Sequence, residues 1–457
     1  MVKQSGIFFQ IMNESLKYFG TDGIRGRYGD SIINEGFAYS LGVAFARYLE
    51  HKNYDKSQPV FLARDTRLSG KNLLLSCQAG LNDNHFITYN LDILPTPVLA
   101  FSVFNQNALG GIMVTASHNP HYDNGLKIIS AEGGKLEPVD EYLIESFISE
   151  FTEHHLMPEI IHQDQPKYIG EYLENLRKHF GTNFLKGLKI VTDLANGATA
   201  QITPQALKHF GANVVSINQG DGLINEHVGS EFTEGLAHKV IDEKADLGLA
   251  HDGDGDRVVF IDKKGKEVDG DKILGLLAIH AKKDNSLRGN GFVATIHSNS
   301  GLASTLKESE IELHRSDVGD RNVFGLMRET GSNWGGESSG HIICSDYMNT
   351  GDGLFSALSV LRCVLESQED LLRLSNRVSL WPSRSVAIKV TSKKPIEDFE
   401  ELQEFLRKTK ETWGEDTRIL IRYSGTELKI RVLVEARDEK VADEVFLVVQ
   451  KLIKKHI

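Results

Sequence analysis

The feature that most limits the possible fold is a repeated order of elements. An apolar strand-like run, a polar loop, a helix-like stretch and a second strand-like run occur three times along the chain. The first strands of these units are predicted at 60–65, 188–193 and 291–296, and the second strands at 86–90, 213–217 and 311–314. Strand, helix and strand at domain-sized intervals predict three related α/β units with mixed, largely parallel sheets. Internal duplication of the chain is therefore expected.

The last part of the chain follows a different pattern. After Trp381-Pro382, strand-like and helix-like stretches are predicted at 386–390, 396–410, 418–422, 429–435 and 439–454. This order predicts a smaller α+β domain, and 457 residues leave room for four domains of ordinary size. The predicted division is an N-terminal extension at 1–15, α/β domains at 16–160, 161–262 and 263–378, and a C-terminal α+β domain at 379–457.

Charge and cysteine content restrict the partners and the compartment. A formal net charge of -12 would repel a nucleic acid backbone, and no stretch gathers enough Lys and Arg to offset it. The 3 cysteines are widely spaced, so neither a disulfide framework nor a thiolate zinc site is predicted, and a cytoplasmic protein is expected. No apolar run approaches the roughly 20 residues that cross a bilayer. Residues 1–15 are too weakly basic at their start for a secretory signal.

The first of four polar segments that follow strand-like runs carries a hydroxyl group. Residues 115–120, Thr-Ala-Ser-His-Asn-Pro, place Ser117 and His118 in a loop. Ligands of open α/β sheets bind beyond the carboxyl ends of the strands, so a loop at this position is a candidate for ligand binding. The same residues suit a plain turn or a helix cap, and they do not form the G-x-S-x-G elbow of hydrolases. Taken alone, the segment favours the turn.

The second segment has the composition of a metal site. Asp252, Asp254 and Asp256 alternate with Gly and are followed by Arg257. Carboxylate oxygens suit Mg²⁺ or Ca²⁺, and glycine permits the tight backbone that such a loop needs. An EF-hand is excluded because Arg257 stands where its Gly is required and Lys263 stands where its closing Glu belongs. The two remaining interpretations are a loop for a metal and a phosphate together, or an Asp/Gly-rich surface turn.

Two further segments carry groups that suit sugars and phosphates. In 335–341, Gly-Gly-Glu-Ser-Ser-Gly-His, the Glu and Ser side chains can hydrogen-bond hydroxyls and the glycines allow the backbone to approach a ligand closely. In 422–431, two arginines, two hydroxyls and a glycine make a plausible phosphate cradle. Taken alone, the first is equally well explained as a loop and the second as a hairpin turn.

In this order, the four segments resemble those of the phosphohexomutase superfamily and, within it, of the bacterial phosphoglucosamine mutases. Residues 19–26, Phe-Gly-Thr-Asp-Gly-Ile-Arg-Gly, belong to the same resemblance, which runs from about Tyr18 to the C-terminus. The chain departs from the pattern at Tyr423 and Leu428, where many relatives have proline in R-P-S-G-T-E-P. Proline mainly restricts φ, so the change concerns the stiffness of the loop. The resemblance implies three α/β domains and a C-terminal domain around a central cleft.

The resemblance also implies a role for each matching residue. Ser117 would carry a phosphoryl group, and one Mg²⁺ ion would be bound by Ser117, Asp252, Asp254 and Asp256. Groups that stabilise charge or take part in the reaction would be Arg25, His118, Arg257 and Lys127, the last also a possible proton carrier. The sugar would contact Glu337, Ser339 and His341. The non-reacting phosphate would be held by Arg422, Ser424, Gly425, Thr426 and Arg431.

The activity implied by the resemblance is that of an isomerase, a phosphoglucosamine mutase. Glucosamine 1-phosphate and glucosamine 6-phosphate would interconvert through a phosphoserine and glucosamine 1,6-bisphosphate, feeding amino-sugar nucleotide and cell-wall synthesis. Ser338 favours this branch over the alternative, a phosphomannomutase/phosphoglucomutase with the same mechanism. A further alternative is an inactive sugar-phosphate binding protein. The expected partner is a small sugar phosphate, without nucleic acid or membrane, and the sequence leaves the oligomeric state open.

Overall fold

The structure is a computed structural model that describes residues 16–148, 165–424 and 428–456, and the statements below concern these residues. The predicted extension at 1–15 lies outside them. Within the described ranges, none of the helices combines the length and the apolar character needed to span a bilayer.

The first unit is a five-stranded sheet with helices packed on it. Its strands are β1 (Ile24–Arg27), β2 (Val60–Arg64), β3 (Thr88–Ile93), β4 (Gly110–Val114) and β5 (Asp123–Ile129). Its helices are α1 (Glu35–His51), α2 (Gly70–Asn82), α3 (Thr96–Asn105) and α4 (Pro138–Phe147). The strand order is β1-β5-β4-β2-β3, in which β2 is parallel to β3 and β4, whereas β5 is antiparallel to β4 and β1.

The second unit repeats this arrangement. Its helices are α5 (Gln165–Phe180), α6 (Ile202–His209) and α7 (Glu234–Asp242). Its strands are β6 (Lys189–Asp193), β7 (Asn213–Ile217), β8 (Leu247–His251), β9 (Val258–Asp262) and β10 (Glu267–Val268). The order is β10-β9-β8-β6-β7, with β6 parallel to β7 and β8 and with β9 antiparallel to β8 and β10.

The third unit has four strands in the same plan. They are β11 (Gly291–Thr295), β12 (Glu312–Ser316), β13 (Trp334–Gly336) and β14 (Ile342–Cys344). The helices are α8 (Gly270–Lys283), α9 (Ser300–Glu308), α10 (Asp320–Thr330), α11 (Gly353–Ser367) and α12 (Leu371–Ser375). In the order β12-β11-β13-β14, only β14 is antiparallel to its neighbour.

The predicted α/β class and the internal repeat are confirmed by these sheets. In each unit a buried first strand has parallel neighbours on both sides, because helical crossovers return the chain in the same direction. The sheets are mixed, as predicted, but the strand pattern did not show that β5, β9 and β14 would be antiparallel to the strands before them. These antiparallel pairs form because a short loop, rather than a helix, joins β4 to β5, β8 to β9 and β13 to β14.

The tail is the predicted α+β unit. Its elements are β15 (Ser383–Lys389), α13 (Glu400–Trp413), β16 (Thr417–Tyr423), β17 (Lys429–Ala436) and α14 (Glu439–Lys454). All strand pairs in the order β15-β17-β16 are antiparallel. The helix expected at 396–410 begins at Glu400, because a 3₁₀ turn at Ile396–Asp398 precedes it.

The hydrophobic core of the tail is separate from the core shared by the three α/β units. One continuous core joins the three α/β units and includes Phe61, Phe210 and Phe292. The tail has a core of its own, which includes Phe399 and Val432. The tail can therefore be treated as a separately packed body that is docked on the third unit.

Candidate active site

Three of the four predicted segments lie at the same position in the three repeats. Residues 115–122 join β4 to β5, residues 252–257 join β8 to β9, and residues 337–341 join β13 to β14. The fourth segment lies around the turn between β16 and β17 in the tail. Duplication of one unit thus places a hydroxyl loop, a carboxylate loop and a Glu-Ser loop at the corresponding edge of each sheet. We call them the serine loop, the aspartate loop and the sugar loop.

Ser117 is buried in a conformation that is unusual for a residue with a side chain. Its φ is 51°, in the left-handed region, and its N–H donates to Oγ1 of Thr115 at 2.9 Å. Its Oγ donates to Oδ2 of Asp252 at 2.6 Å. The surroundings hold this backbone conformation, and they aim the hydroxyl of the serine loop at the aspartate loop.

Two side chains that the sequence analysis did not single out hold the serine loop by its carbonyl oxygens. The guanidinium of Arg67, fully buried, donates to the carbonyl oxygens of Ser117 and Asn119 at 3.0 and 2.8 Å, and its Nε donates to Asp65 at 2.9 Å. From the second unit, Nδ2 of Asn225 donates to the same two oxygens at 2.7 and 3.0 Å. These bonds fix the serine loop against the aspartate loop across the boundary between two units.

The aspartate loop presents three buried carboxylates to one point. Oxygens of Asp252, Asp254 and Asp256 lie within 4.8 Å of one another. Burial, together with the charges of Asp256 and Asp254, raises the pKa of Asp252 well above its usual range. Among the described residues, none donates a hydrogen bond to Oδ1 of Asp254 or of Asp256. Clustered carboxylates with free oxygen atoms fit a hard divalent cation such as Mg²⁺.

Gly253 allows the aspartate loop and the serine loop to approach each other. A Cβ atom at this position would lie 2.8 Å from the carbonyl oxygen of Ser117 and 2.6 Å from Cδ1 of Ile224. Both distances are shorter than real Cβ contacts, so any larger residue would push the loops apart.

Lys127, on β5, supplies a positive charge beside the carboxylates. Its Nζ lies 3.0 Å from Oδ2 of Asp22, 3.0 Å from Oδ2 of Asp254 and 3.2 Å from Oδ2 of Asp256. Burial opposes the charge, but these carboxylates outweigh it and raise the pKa of Lys127 well above its usual range. Arg25, on β1, also pairs with Asp22, so Asp22 orients two of the predicted cationic groups.

The sugar loop meets the aspartate loop through His341. Its Nδ1 is 3.6 Å from Oδ1 of Asp256, and its Nε2 is 3.4 Å from Oδ2 of Asp320. Although burial opposes protonation, Asp256, Asp320 and Glu337 raise the pKa of His341 to about 9. Oε1 of Glu337 accepts the N–H of Gly319 at 3.0 Å, whereas Ser339 is exposed. The loop thus carries one held carboxylate, and the serines Ser338 and Ser339 are both exposed.

His118 lies next to the hydroxyl of Ser117. Its Nδ1 is 3.4 Å from Oγ of Ser117. Burial, with the charges of Arg257 and Arg25, lowers the pKa of His118 to about 4, so the imidazole is neutral at pH 7.

The tail reaches the site through Arg422, at the end of β16. Its Nη2 donates to Nε2 of His297 at 2.6 Å, and His297 follows β11 of the third unit. Ser424 is buried, and Arg431 is exposed on β17 opposite Arg422. Gly425 and Thr426 lie outside the described residues. At the first of the two expected proline positions, the hydroxyl of Tyr423 donates to the carbonyl of Lys394 at 2.7 Å and so ties the strand end to a neighbouring loop.

Seven of the predicted residues line a cleft of about 410 Å³. Those that line it are Arg25, His118, Asp256, Arg257, Glu337, Ser339 and His341. His297 lines it too, and therefore brings Arg422 to its edge. A larger cavity of about 770 Å³ is lined by other residues, among them Tyr48, Tyr54 and Arg328, so size alone does not identify the site.

Five supporting residues were missed by the sequence analysis: Asp22, Arg67, Asn225, His297 and Asp320. Asp22 lies within the recognised segment 19–26, and Arg67 shortly follows a strand, so both had a usable signal. Asn225 and His297 stand in loops and Asp320 begins α10, and none of the three belongs to a motif. Their contribution depends on which units pack together.

Family models match the chain over nearly its whole length. They are described as phosphoglucomutase/phosphomannomutase, with alpha/beta/alpha domain I at 16–155, domain II at 170–265 and domain III at 269–380, and with the C-terminal domain at 386–451. Among solved structures, a phosphoglucomutase/phosphomannomutase family protein from Burkholderia thailandensis has the same fold, with a TM-score of 0.78, 22% identity, and coverage of 95% of this chain and 97% of that one. The chain belongs to this family, and its fold is that of a phosphohexomutase.

Relatives of higher identity narrow the assignment. The phosphoglucosamine mutase of Sulfurovum sp. is 39% identical over 430 residues, which are 92% of this chain and 95% of that protein. The phosphoglucosamine mutase of Nautilia profundicola is 37% identical over 447 residues, 96% of this chain and 99% of that protein. The chain belongs to the phosphoglucosamine mutase family.

Proposed function

We propose that the protein interconverts glucosamine 1-phosphate and glucosamine 6-phosphate, with Ser117 as the phosphoryl carrier. The observation that supports this most directly is the 2.6 Å bond from Oγ of Ser117 to Asp252, within a buried cluster of three carboxylates. A protein that only bound sugar phosphates would not need a nucleophilic hydroxyl in that environment. The family membership supports glucosamine over glucose or mannose as the sugar.

The first half of the reaction moves a phosphoryl group from Ser117 to the sugar. The bond from phosphorus to Oγ of Ser117 breaks and a bond from phosphorus to O6 of glucosamine 1-phosphate forms, giving the 1,6-bisphosphate. The proton of O6 ends on Oγ of Ser117, where Asp252 accepts the resulting hydroxyl hydrogen bond. In the second half, phosphorus on O1 returns to Oγ and the proton ends on O1, which releases glucosamine 6-phosphate.

The residues around Ser117 are suited to stabilise the charge on the phosphoryl group. Asp252, Asp254, Asp256 and an oxygen of the phosphoserine would hold Mg²⁺, which when bound neutralises charge on the transferring phosphate. Lys127 stays protonated, so we assign it a fixed positive charge beside the same oxygens. Arg25 and Arg257 line the cleft as further cations, and His118 is placed to hydrogen-bond the phosphoserine.

The remaining residues would bind and orient the substrate. We assign Glu337, Ser339 and His341 to the sugar hydroxyls, because they line the cleft from the sugar loop. Arg422, Ser424, Gly425, Thr426 and Arg431 would hold the non-reacting phosphate, for which Arg is suited by its bidentate geometry. The bisphosphate must present either end to Ser117, so this cradle would bind the phosphate in both orientations.

The proposal is tested by measuring kcat/KM on glucosamine 1-phosphate, glucose 1-phosphate and mannose 1-phosphate with the phosphorylated protein. We expect glucosamine 1-phosphate to have the highest value, and Ser117→Ala to abolish turnover of all three. A higher value on glucose or mannose 1-phosphate would assign the protein to the phosphomannomutase/phosphoglucomutase branch. Turnover that is equal in wild type and Ser117→Ala would come from a contaminant and would favour a binding protein.

A further inference from the structure

A second polar cavity lies between the third unit and the tail. Its volume is about 680 Å³. The charged side chains that line it are Lys307, Arg315, Arg418, Arg437, Glu308 and Glu415. Four cations against two carboxylates give the lining an excess of positive charge, in a protein whose formal net charge is -12. The cavity therefore differs in charge from the molecule as a whole.

Two arginines that line this cavity come from different domains and converge on one carbonyl oxygen. Nη1 of Arg315, on β12, donates to the carbonyl of Ser298 at 2.5 Å. Nη1 of Arg418, on β16 of the tail, donates to the same oxygen at 3.0 Å. The contact brings two guanidinium groups together at the boundary between the third unit and the tail.

The positive charge of this pair is incompletely balanced. Arg418 has a carboxylate partner, Oε2 of Glu435, at 3.3 Å, and Arg437 has Asp416 at 2.6 Å. Arg315 forms hydrogen bonds to the carbonyls of Ser298 and Thr295 and, in the part of the chain that the structure describes, no ion pair. Burial, together with Arg418, lowers the pKa of Arg315 to about 10. A half-buried guanidinium beside a second one is stabilised when an anion binds to both.

We propose that this cavity is a second anion site, which binds a phosphate group through Arg315 and Arg418. The planar guanidinium fork matches two phosphate oxygens, and Lys307 and Arg437 add charge at the mouth. The indole of Trp381 lines the same cavity, with the guanidinium of Arg437 at 5.0 Å from its ring. The phosphate could thus be inorganic or carry a flat organic group beside the indole.

The anion site is distinct from the catalytic cleft, although one turn of the chain borders both. Arg315 and Arg418 bind the carbonyls on either side of His297, those of Ser298 and Ile296. The side chain of His297 faces the cleft and meets Arg422. An anion in the cavity would lie on one side of the turn at 296–298, and the side chain of His297 on the other side of the same turn contacts Arg422 of the phosphate cradle.

The proposal can be tested with 5-fluorotryptophan and ¹⁹F NMR, since Trp381 lines the cavity while Trp334 is buried in the third unit and Trp413 ends α13. Signals are assigned by replacing each Trp with Phe. Inorganic phosphate, titrated at constant ionic strength, should move the Trp381 signal saturably and leave Trp334 unmoved. Phenyl phosphate is the second probe, and tighter binding than phosphate would identify a ligand with a ring.

Variants separate the cavity from the cleft. Arg315→Gln should weaken phosphate binding at Trp381 at least tenfold, whereas Arg422→Gln, which alters the cradle, should leave it unchanged. Arg384→Gln is the matched control, because Arg384 lies in the tail and pairs with Asp443 on the surface. If Arg315→Gln shifts the Trp334 signal and so disturbs the fold, Lys307→Gln replaces it and should weaken binding severalfold.

Three results would overturn the proposal. They are a Trp381 signal that phosphate does not move, an equal movement with chloride, and a response lost in Arg422→Gln but kept in Arg315→Gln.

Discussion

The contact between Asn225 and the serine loop gives the sharpest quantitative prediction. Asn225→Gly removes both donors to the carbonyl oxygens of Ser117 and Asn119, at 2.7 and 3.0 Å. Asn225 has a φ of 57°, which glycine adopts readily, so the substitution leaves the backbone unstrained. Arg67 still donates to the same two oxygens, and the protein should therefore fold.

The size of the effect follows from the two lost hydrogen bonds. Each hydrogen bond contributes roughly 0.5–1.5 kcal/mol net, so the two together stabilise the position of Ser117 relative to Asp252 by about 1–3 kcal/mol, which the variant loses. If that support is needed in the transition state, kcat should fall by roughly 5- to 150-fold, since about 1.4 kcal/mol corresponds to tenfold. KM should change little, because Asn225 is not part of the cleft that receives the sugar.

The assay is steady-state turnover of glucosamine 1-phosphate with Asn183→Gly as the control. Asn183 is exposed and has a φ of 55°, so the control makes the same substitution in the same backbone conformation away from the site. We expect the control to keep wild-type kcat. A kcat for Asn225→Gly within twofold of wild type, or an equal loss in Asn183→Gly, would refute the role given to Asn225.

Three further predictions concern the metal, the phosphate cradle and pH. Asp254→Asn should lower activity and raise the Mg²⁺ concentration needed for half-maximal turnover, because a neutral amide replaces a charged ligand; an unchanged magnesium titration would remove Asp254 from the metal site. Arg422→Gln should raise the Kd for glucosamine 6-phosphate by roughly 10- to 150-fold, because a hydrogen bond to a charged group contributes about 1.5–3 kcal/mol. If calorimetry gives the same affinity as for wild type, the tail segment is a structural hairpin and does not bind the phosphate. Burial raises the pKa of Glu141 to about 7 in spite of Arg321, so the unfolded chain loses this proton first and stability falls as pH rises from about 4.5 to 7. Glu141→Gln should lack that loss of stability. Between pH 5 and pH 8, its free energy of unfolding should therefore rise by up to about 3 kcal/mol relative to that of wild type, as measured by thermal unfolding at both pH values. Equal pH dependence of the two proteins would contradict this prediction.

The sequence predicted the parallel part of the fold better than its edges. Buried apolar runs such as 188–193 and 247–250 are unambiguous, and β6 and β8 lie at these places. Mixed sheets were predicted, but the sequence did not show which strands are antiparallel, because direction depends on whether a loop or a helix joins two strands. The observation that three functional loops are equivalent positions of one repeat required the sheet order, which the sequence does not give.

The sequence likewise indicated some residues of the proposed site and not others. Ser117 and the three aspartates stand in short segments that match the phosphohexomutase pattern in order, so the resemblance could assign them a role although the Ser117 segment alone favoured a turn. Asn225 and His297 have no such pattern, and their contacts join residues more than 100 positions apart. Such contacts follow from the packing of one domain on another, which local residue patterns do not specify.

The central claim, that Ser117 carries the phosphoryl group, is tested most directly by intact-mass analysis of the purified protein after incubation with glucosamine 1,6-bisphosphate and Mg²⁺. The control is Ser146→Ala, which removes an exposed hydroxyl on α4. We predict one added phosphate on wild type and on Ser146→Ala, none on Ser117→Ala, and localisation of the group to Ser117 by peptide fragmentation. A phosphate that remains on Ser117→Ala, in a variant that still turns over glucosamine 1-phosphate, would contradict the account.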